Sequence, residues 1–145
     1  MKKLLLLALV NIIFSSASYA RDSVGAYSIQ EAMDSDAAKQ ALGDNVAFYF
    51  GEQKTPKIEK SYGEFKTNKK TNAFNKSDKE ACEWVFLSAM VSLKERALKE
   101  GGNAVVNIKS NYKGNLVTSN DTFQCGAGAL IAGVALVGDV VKIKK

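Results

Sequence analysis

The chain has no histidine, one proline and two cysteines in 145 residues, and each shortage removes a class of function. Without imidazole it cannot assemble a Ser-His-Asp or Cys-His arrangement, a zinc site with imidazole ligands, or the general base most enzymes use near neutral pH. No GxxxxGK[ST] loop occurs, so the P-loop route to nucleotide hydrolysis is excluded at the level of motif. Cys82 and Cys125 stand 43 positions apart, which is neither a CxxC redox spacing nor a zinc-ligand spacing. No residue is therefore assigned a catalytic role, and no metal or cofactor is expected. Glu80, Glu83 and Glu95 are read as capping and solvated charge rather than as an acid–base pair.

What is present begins with a leader. Lys2 and Lys3 precede an apolar run over residues 4–14, and Ser18 and Ala20 put small residues at the two positions a signal peptidase reads. The pattern predicts a secretory signal peptide over residues 1–20, cut between Ala20 and Arg21, and a single domain over residues 21–145. The leader is too short and wrongly flanked for a permanent span, and no other transmembrane segment is expected. No cysteine stands at the junction to carry a lipid anchor. Without the leader, 18 basic residues face 15 acidic ones, too small an excess to point to nucleic acid. The expected place is the periplasm or the exterior. An even cysteine count in an oxidising compartment predicts a Cys82–Cys125 bridge, with a free pair or a redox couple as the alternatives.

The organising stretch is residues 77–108. Ser77 followed by Glu80 is a capping box and Gly101-Gly102 a stop, which predicts a helix over Asp78–Glu100 about 34 Å long. Its apolar residues fall on two stripes. Cys82, Val85, Phe86, Ala89, Met90, Leu93 and Ala97 follow the rhythm of a core-facing side. Trp84, Leu87, Val91 and Leu98 form a second line nearly opposite, which needs either another segment of the chain or a subunit interface.

Elsewhere, a capping box at Ser28 and Glu31 opens a short, interruptible helix ending at Gly43, the first candidate to cover the Trp84 stripe. Residues 21–26 read as a flexible start and residues 45–50 as a strand. A strand over residues 57–66 carries a bulge at Gly63 and lies at an edge, followed by a loop over residues 66–76. Lys54, Lys57, Lys60, Lys66, Lys69 and Lys70, beside Tyr62, Phe65 and Phe74, offer an anion-binding face; solvated edge protection is the plainer alternative. Ala104–Tyr112 alternates as a half-buried strand, Lys113-Gly114-Asn115 turns, and residues 116–121 are loop or weak strand. Another strand opens at Thr122. The uncharged run over residues 126–138 is read as a buried central strand kinked at Gly133 or Gly138, with a membrane-inserting segment as its rival.

The segment Glu100-Gly101-Gly102-Asn103-Ala104-Val105-Val106, between a long helix and a strand, resembles the K-x-x-G/A-N-A-V-V segment of the YbjQ and RcsF-like families. Gly138-Asp139-Val140-Val141-Lys142-Ile143 is similar to their closing G-x-A-V-x-I or G-S-A-L-N-I strand. The resemblance covers roughly residues 78–145 and implies a helix packed on an antiparallel sheet. The whole chain is more similar still to small exported proteins of Gram-negative bacteria with this helix, GGNAVVNI and a Y/F-x-C-x-A-G strand, here Phe123-Gln124-Cys125-Gly126-Ala127-Gly128. That group is often labelled "excinuclease ATPase subunit", a label that does not fit an exported chain with no P-loop and no zinc cysteines. RcsF-like proteins are disulfide-bonded envelope stress sensors that act by contacting partners, which implies that Cys82 and Cys125 match one of their bridges. This chain departs from them in lacking the lipid-anchored cysteine and a second cysteine pair. The YbjQ-like relatives form rings, which implies self-assembly.

The expected fold is thus α+β: an antiparallel sheet of about four to five strands on one long helix, with a short N-terminal helix. The expected function is that of a non-enzymatic soluble periplasmic protein that binds another envelope protein or a second copy of itself. Neither nucleic acid nor nucleotide is an expected partner. The alternatives are a binder of anionic polymer or lipid at the envelope surface and an enzyme of unrecognised type.

Overall fold

The computed structural model describes residues 22–145; the leader and the Ala20–Arg21 junction lie outside the described residues. In chain order the elements are β1 (Asp22–Ser28), α1 (Ile29–Met33), α2 (Asp36–Leu42), β2 (Ala47–Phe50), β3 (Ile58–Asn72), α3 (Asp78–Glu100), β4 (Ala104–Tyr112), β5 (Asn115–Val117), β6 (Thr122–Gly128) and β7 (Ile131–Ile143).

Both ends of α3 are fixed by the signals read in the sequence. Ser77 Oγ accepts from the Glu80 amide at 3.1 Å, and Gly101 takes a left-handed φ of +86° that returns its N–H to the last turn. The residues of the core-facing stripe are all buried, joined by Ala81. They lie on the sheet through Phe86, whose ring stacks on Phe123 of β6 at 4.1 Å and lies 6.1 Å from Phe50 of β2. Beside that stack, Cys82 and Cys125 form a disulfide with both residues fully buried, which ties the second turn of α3 to β6.

The sheet departs from expectation. It has seven strands rather than four to five, and it is mixed rather than antiparallel. β7 is its centre. Along one side β3 runs antiparallel to it from Asn72↔Ile131 to Ile58↔Ile143. The other side is shared by β6, at Gly126↔Gly133, and by β4, from Ser110↔Leu136 to Ala104↔Val141. β1 adds to β6 and β5 to β4. β2 pairs with β4 in parallel, because β3 and α3 intervene and carry the chain back to the end from which it started.

Three local readings are corrected, the first two because partners distant in sequence decided them. Residues 22–28 are not a flexible start: they are β1, paired residue for residue with β6. The segment over residues 66–76 is strand as far as Asn72, because β7 continues alongside. The uncharged run is not one strand; it turns at Ala129 and Leu130, its first residues closing β6 and the rest opening β7. The turn expected at Lys113-Gly114-Asn115 is a tight hairpin (φ +52° and +79° at Lys113 and Gly114), and the short β5 follows it. That hairpin is only three residues deep, so the chain then leaves the β4 edge and delivers Cys125 to Cys82. The bulge at Gly63 is present, with φ +104° at a shift in register.

Glycine in this sheet marks close approach. Gly126 and Gly133 face each other across β6 and β7, and the ring of Tyr112 lies over them. A Cβ at Gly126 would collide with that ring, and one at Gly133 would lie 3.3 Å from it. Gly126→Ala should therefore cost about 1–3 kcal/mol, as overpacking does. The same substitution in a Tyr112→Ala background should be nearly neutral. Urea titration of the four proteins measures the coupling, and simple additivity would show that the ring moves aside freely.

The Gly101-Gly102-Asn103 stretch has a packing role at every residue. Gly101 caps α3. A Cβ on Gly102 would meet the Val141 carbonyl oxygen at 2.8 Å. The Asn103 side chain pairs with the Ile143 backbone as a further strand would, accepting from its N–H at 2.7 Å and donating to its C=O at 3.1 Å. The motif that carries the family resemblance is thus the joint between helix and sheet.

Candidate functional site

The outer face of α3 is built by the second apolar stripe. Trp84 is 57 % exposed and Leu98 48 %, while Leu87 and Val91 are half-buried against the core. The expected cover is incomplete: α2 borders Trp84, Leu87 and Val91 without closing over them. The N-terminal helix is broken into α1 and α2 at Ser35, whose Oγ donates to the Ala32 carbonyl at 2.9 Å and accepts from the Ala38 amide at 3.1 Å. The pair is pinned to the flank of α3, α1 by Lys79 Nζ to Glu31 Oε2 at 2.7 Å and α2 by Lys94 Nζ donating to the Ala41 carbonyl at 3.0 Å. The hydrogen bond to Glu31, and then its negative charge, raise the pKa of Lys79 above its ordinary value of 10.5.

Beside Trp84 this leaves two hollows. One, of ≈370 Å³, runs over the helix between Ala41 of α2 and Lys69 of β3, with Trp84, Leu87 and Val91 along it. The other, of ≈310 Å³, lies between Trp84 and the start of α2 at Ser35 and Ala37. Trp84 and Leu87 border both, so the indole stands as a ridge between them. Leu98 lies farther along the helix, outside either hollow.

Ser88, Ser92 and Glu95 share the first hollow with Lys69, but no hydrogen bond or ion pair among the described residues joins them into a nucleophile and base. Glu80 sits at the cap and Glu83 lies 4.0 Å from Lys79. Among the described residues no group of three acidic, cysteine or histidine side chains is placed to hold a metal ion, and no helix is long and apolar enough to cross a membrane.

The lysine group does not come together as one face. All six are exposed, but Lys54 and Lys57 precede β3, and Lys60 lies over the Tyr62 ring at 5.0 Å. Farther along, alternation separates the rest: Lys69 borders the α3 hollow, whereas Lys70, and Lys66 in step with it, lie on the other side of the sheet, where Lys70 borders a separate hollow with Phe74, Leu130 and Ile131. That second apolar cluster was missed in the sequence. Its signal was hidden because Leu130 and Ile131 sit inside an uncharged run, at a turn with none of the usual turn residues.

The chain finds no match among protein-family models, curated proteins or solved structures.

Proposed function

We propose that this is a non-enzymatic protein of the cell envelope that works by protein–protein contact through the outer face of α3. The observation that carries the reading is the exposure of Trp84 between two hollows, with Leu87 and Val91 continuing the apolar line. An indole offers a large apolar area with a polar tip and costs little side-chain entropy to fix, which suits it to the centre of an interface. The buried Cys82–Cys125 bridge fits an oxidising compartment and so supports a periplasmic or secreted location. The resemblance to partner-contacting and ring-forming families points the same way.

Trp84 is the only tryptophan, so its fluorescence reports on this face alone. The dilute protein should show red-shifted emission open to acrylamide quenching. On association the emission should shift to the blue and quenching should fall. If a second copy is the partner, light scattering should give a mass that rises with concentration and returns to the monomer in Trp84→Ala. If the mass stays monomeric, a photocrosslinker at position 84 should trap one discrete protein in intact cells. A constant monomer with no discrete crosslink would remove the reading.

A further inference from the structure

We propose that the turn between β6 and β7, together with the turn that follows β3, forms a tip that enters the surface of a bilayer containing anionic lipid. Phe74, Leu130 and Ile131 are 59 %, 62 % and 57 % exposed. They come from segments more than fifty residues apart, yet border one shallow hollow of ≈510 Å³ with Lys70, Thr71 and Asn72.

The cluster is held in shape. The Ala73 amide donates to the Leu130 carbonyl at 2.8 Å, joining the two turns. Asn72 Oδ1 accepts from the Phe74 amide at 2.8 Å, and the Lys76 amide closes the turn on the Ala73 carbonyl at 3.1 Å. Three large apolar side chains are thus presented to solvent by a fixed backbone, a state a folded chain avoids unless that surface is covered in use.

The charge around the tip decides between occupants. From Phe65 to Ser77 there are four lysines and no acidic residue, and from Thr122 to Gly138 there is no charge at all. The nearest acidic residues in sequence and register are Asp78, which opens α3, and Asp22, opposite Gly128. Lys70 borders the hollow itself, and Lys76 Nζ donates to the Asn72 carbonyl at 3.1 Å at its margin. Apolar side chains at the point with lysines set behind them match a bilayer, whose hydrocarbon lies beneath a layer of negative headgroups. A protein partner would need acidic residues ringing an apolar socket. A lipid surface supplies both without special shape.

The test is co-sedimentation of the purified protein with phosphatidylcholine vesicles, with or without about a third phosphatidylglycerol. Binding should favour the anionic vesicles by about tenfold or more, from roughly 1 kcal/mol per lysine at the surface, and should weaken with salt. Leu130→Ser with Ile131→Ser should remove most of it, and Lys70→Glu with Lys76→Glu should remove the preference for anionic lipid. All four positions are exposed, so the melting temperature should hold. Moving the single indole, as Leu130→Trp in a Trp84→Phe background, should give emission that shifts to the blue on anionic vesicles. Trp84→Ala should bind vesicles like the parent, which separates this proposal from the α3 reading. Failure to sediment with either vesicle would overturn it. So would serine variants that bind as well as the parent, or a mass that falls in those variants with no vesicle binding, which would assign the tip to protein contact.

Discussion

Replacing Cys82 and Cys125 with alanine should lower the melting temperature by about 15 °C, from a bridge worth about 4 kcal/mol in a domain that loses about 4 °C per kcal/mol. The bridge spans 43 residues and both sulfurs are shut away from water. Without it the unfolded chain is free to separate Cys82 from Cys125, and folding must meet the entropy cost of closing that loop, which is where most of the effect is expected to lie. The single variants Cys82→Ser and Cys125→Ser should fall further, since each puts a hydroxyl into a dry site and strands a thiol opposite. Calorimetry of oxidised and reduced parent protein checks the result without mutation. A fall of less than about 3 °C, under 1 kcal/mol on the same scale, would mean that the sheet holds the helix unaided.

Phe86→Ala should cost about 3–5 kcal/mol, the range for emptying a buried phenylalanine site. Phe86 lies one helical turn beyond Cys82, and Phe123 lies two residues before Cys125 on β6. The ring stack and the disulfide are therefore one joint, built twice between the same two elements. In the oxidised protein the bridge should keep Phe86→Ala folded, with a lower urea midpoint. In the reduced protein the two losses together reach well into the roughly 5–15 kcal/mol that holds a domain, so the reduced variant should be unfolded at 25 °C. Far-ultraviolet circular dichroism before and after reduction decides it. A reduced variant with native helix content would show that other contacts of α3 carry the joint.

The parts of the fold that could be read from the sequence are those written locally. Ser77, Glu80 and Gly101 state where α3 begins and ends, and the spacing from Cys82 to Ala97 states which side is buried. β4 is legible as a strand but its expected alternation is not kept: Ala104, Val105 and Val106 are all buried, and a register shift at Asn107 (φ +54°) puts Val105 and Ile108 together under α3 while Ala104 and Val106 pack with Val141 and Ile143. What was not legible depends on partners far along the chain. β1 contains little apolar residue beyond Val24, Ala26 and Tyr27, and it is a strand because β6, about a hundred residues later, lies beside it. The parallel placement of β2 follows from a crossover that no local pattern announces. The glycines at 133 and 138 suggest kinks when read alone; only with Tyr112 over the first and Val105 against the second does their reason show.

The candidate surfaces divide in the same way. The Trp84 stripe stood out because apolar residues on the outside of a helix have no local excuse. Whether α1 and α2 would cover it could not be judged from spacing, since the break at Ser35 and the pins to Glu31 and Ala41 set where they lie. The lysines looked like one face because they are close in sequence, but strand alternation puts neighbours such as Lys69 and Lys70 on opposite sides.

β7 is the strand on which β3, β4 and β6 all depend, and it is the final element of the chain. A chain made from its N-terminus therefore holds β3 with no neighbour until residues 131–143 have been added, and β1 with none until β6 has. The sheet therefore lacks its central strand until residues 131–143 are in place, as expected where distant pairings dominate. The order of the strands leaves β3 an open edge, and β4 and β6 unjoined, until β7 comes between them.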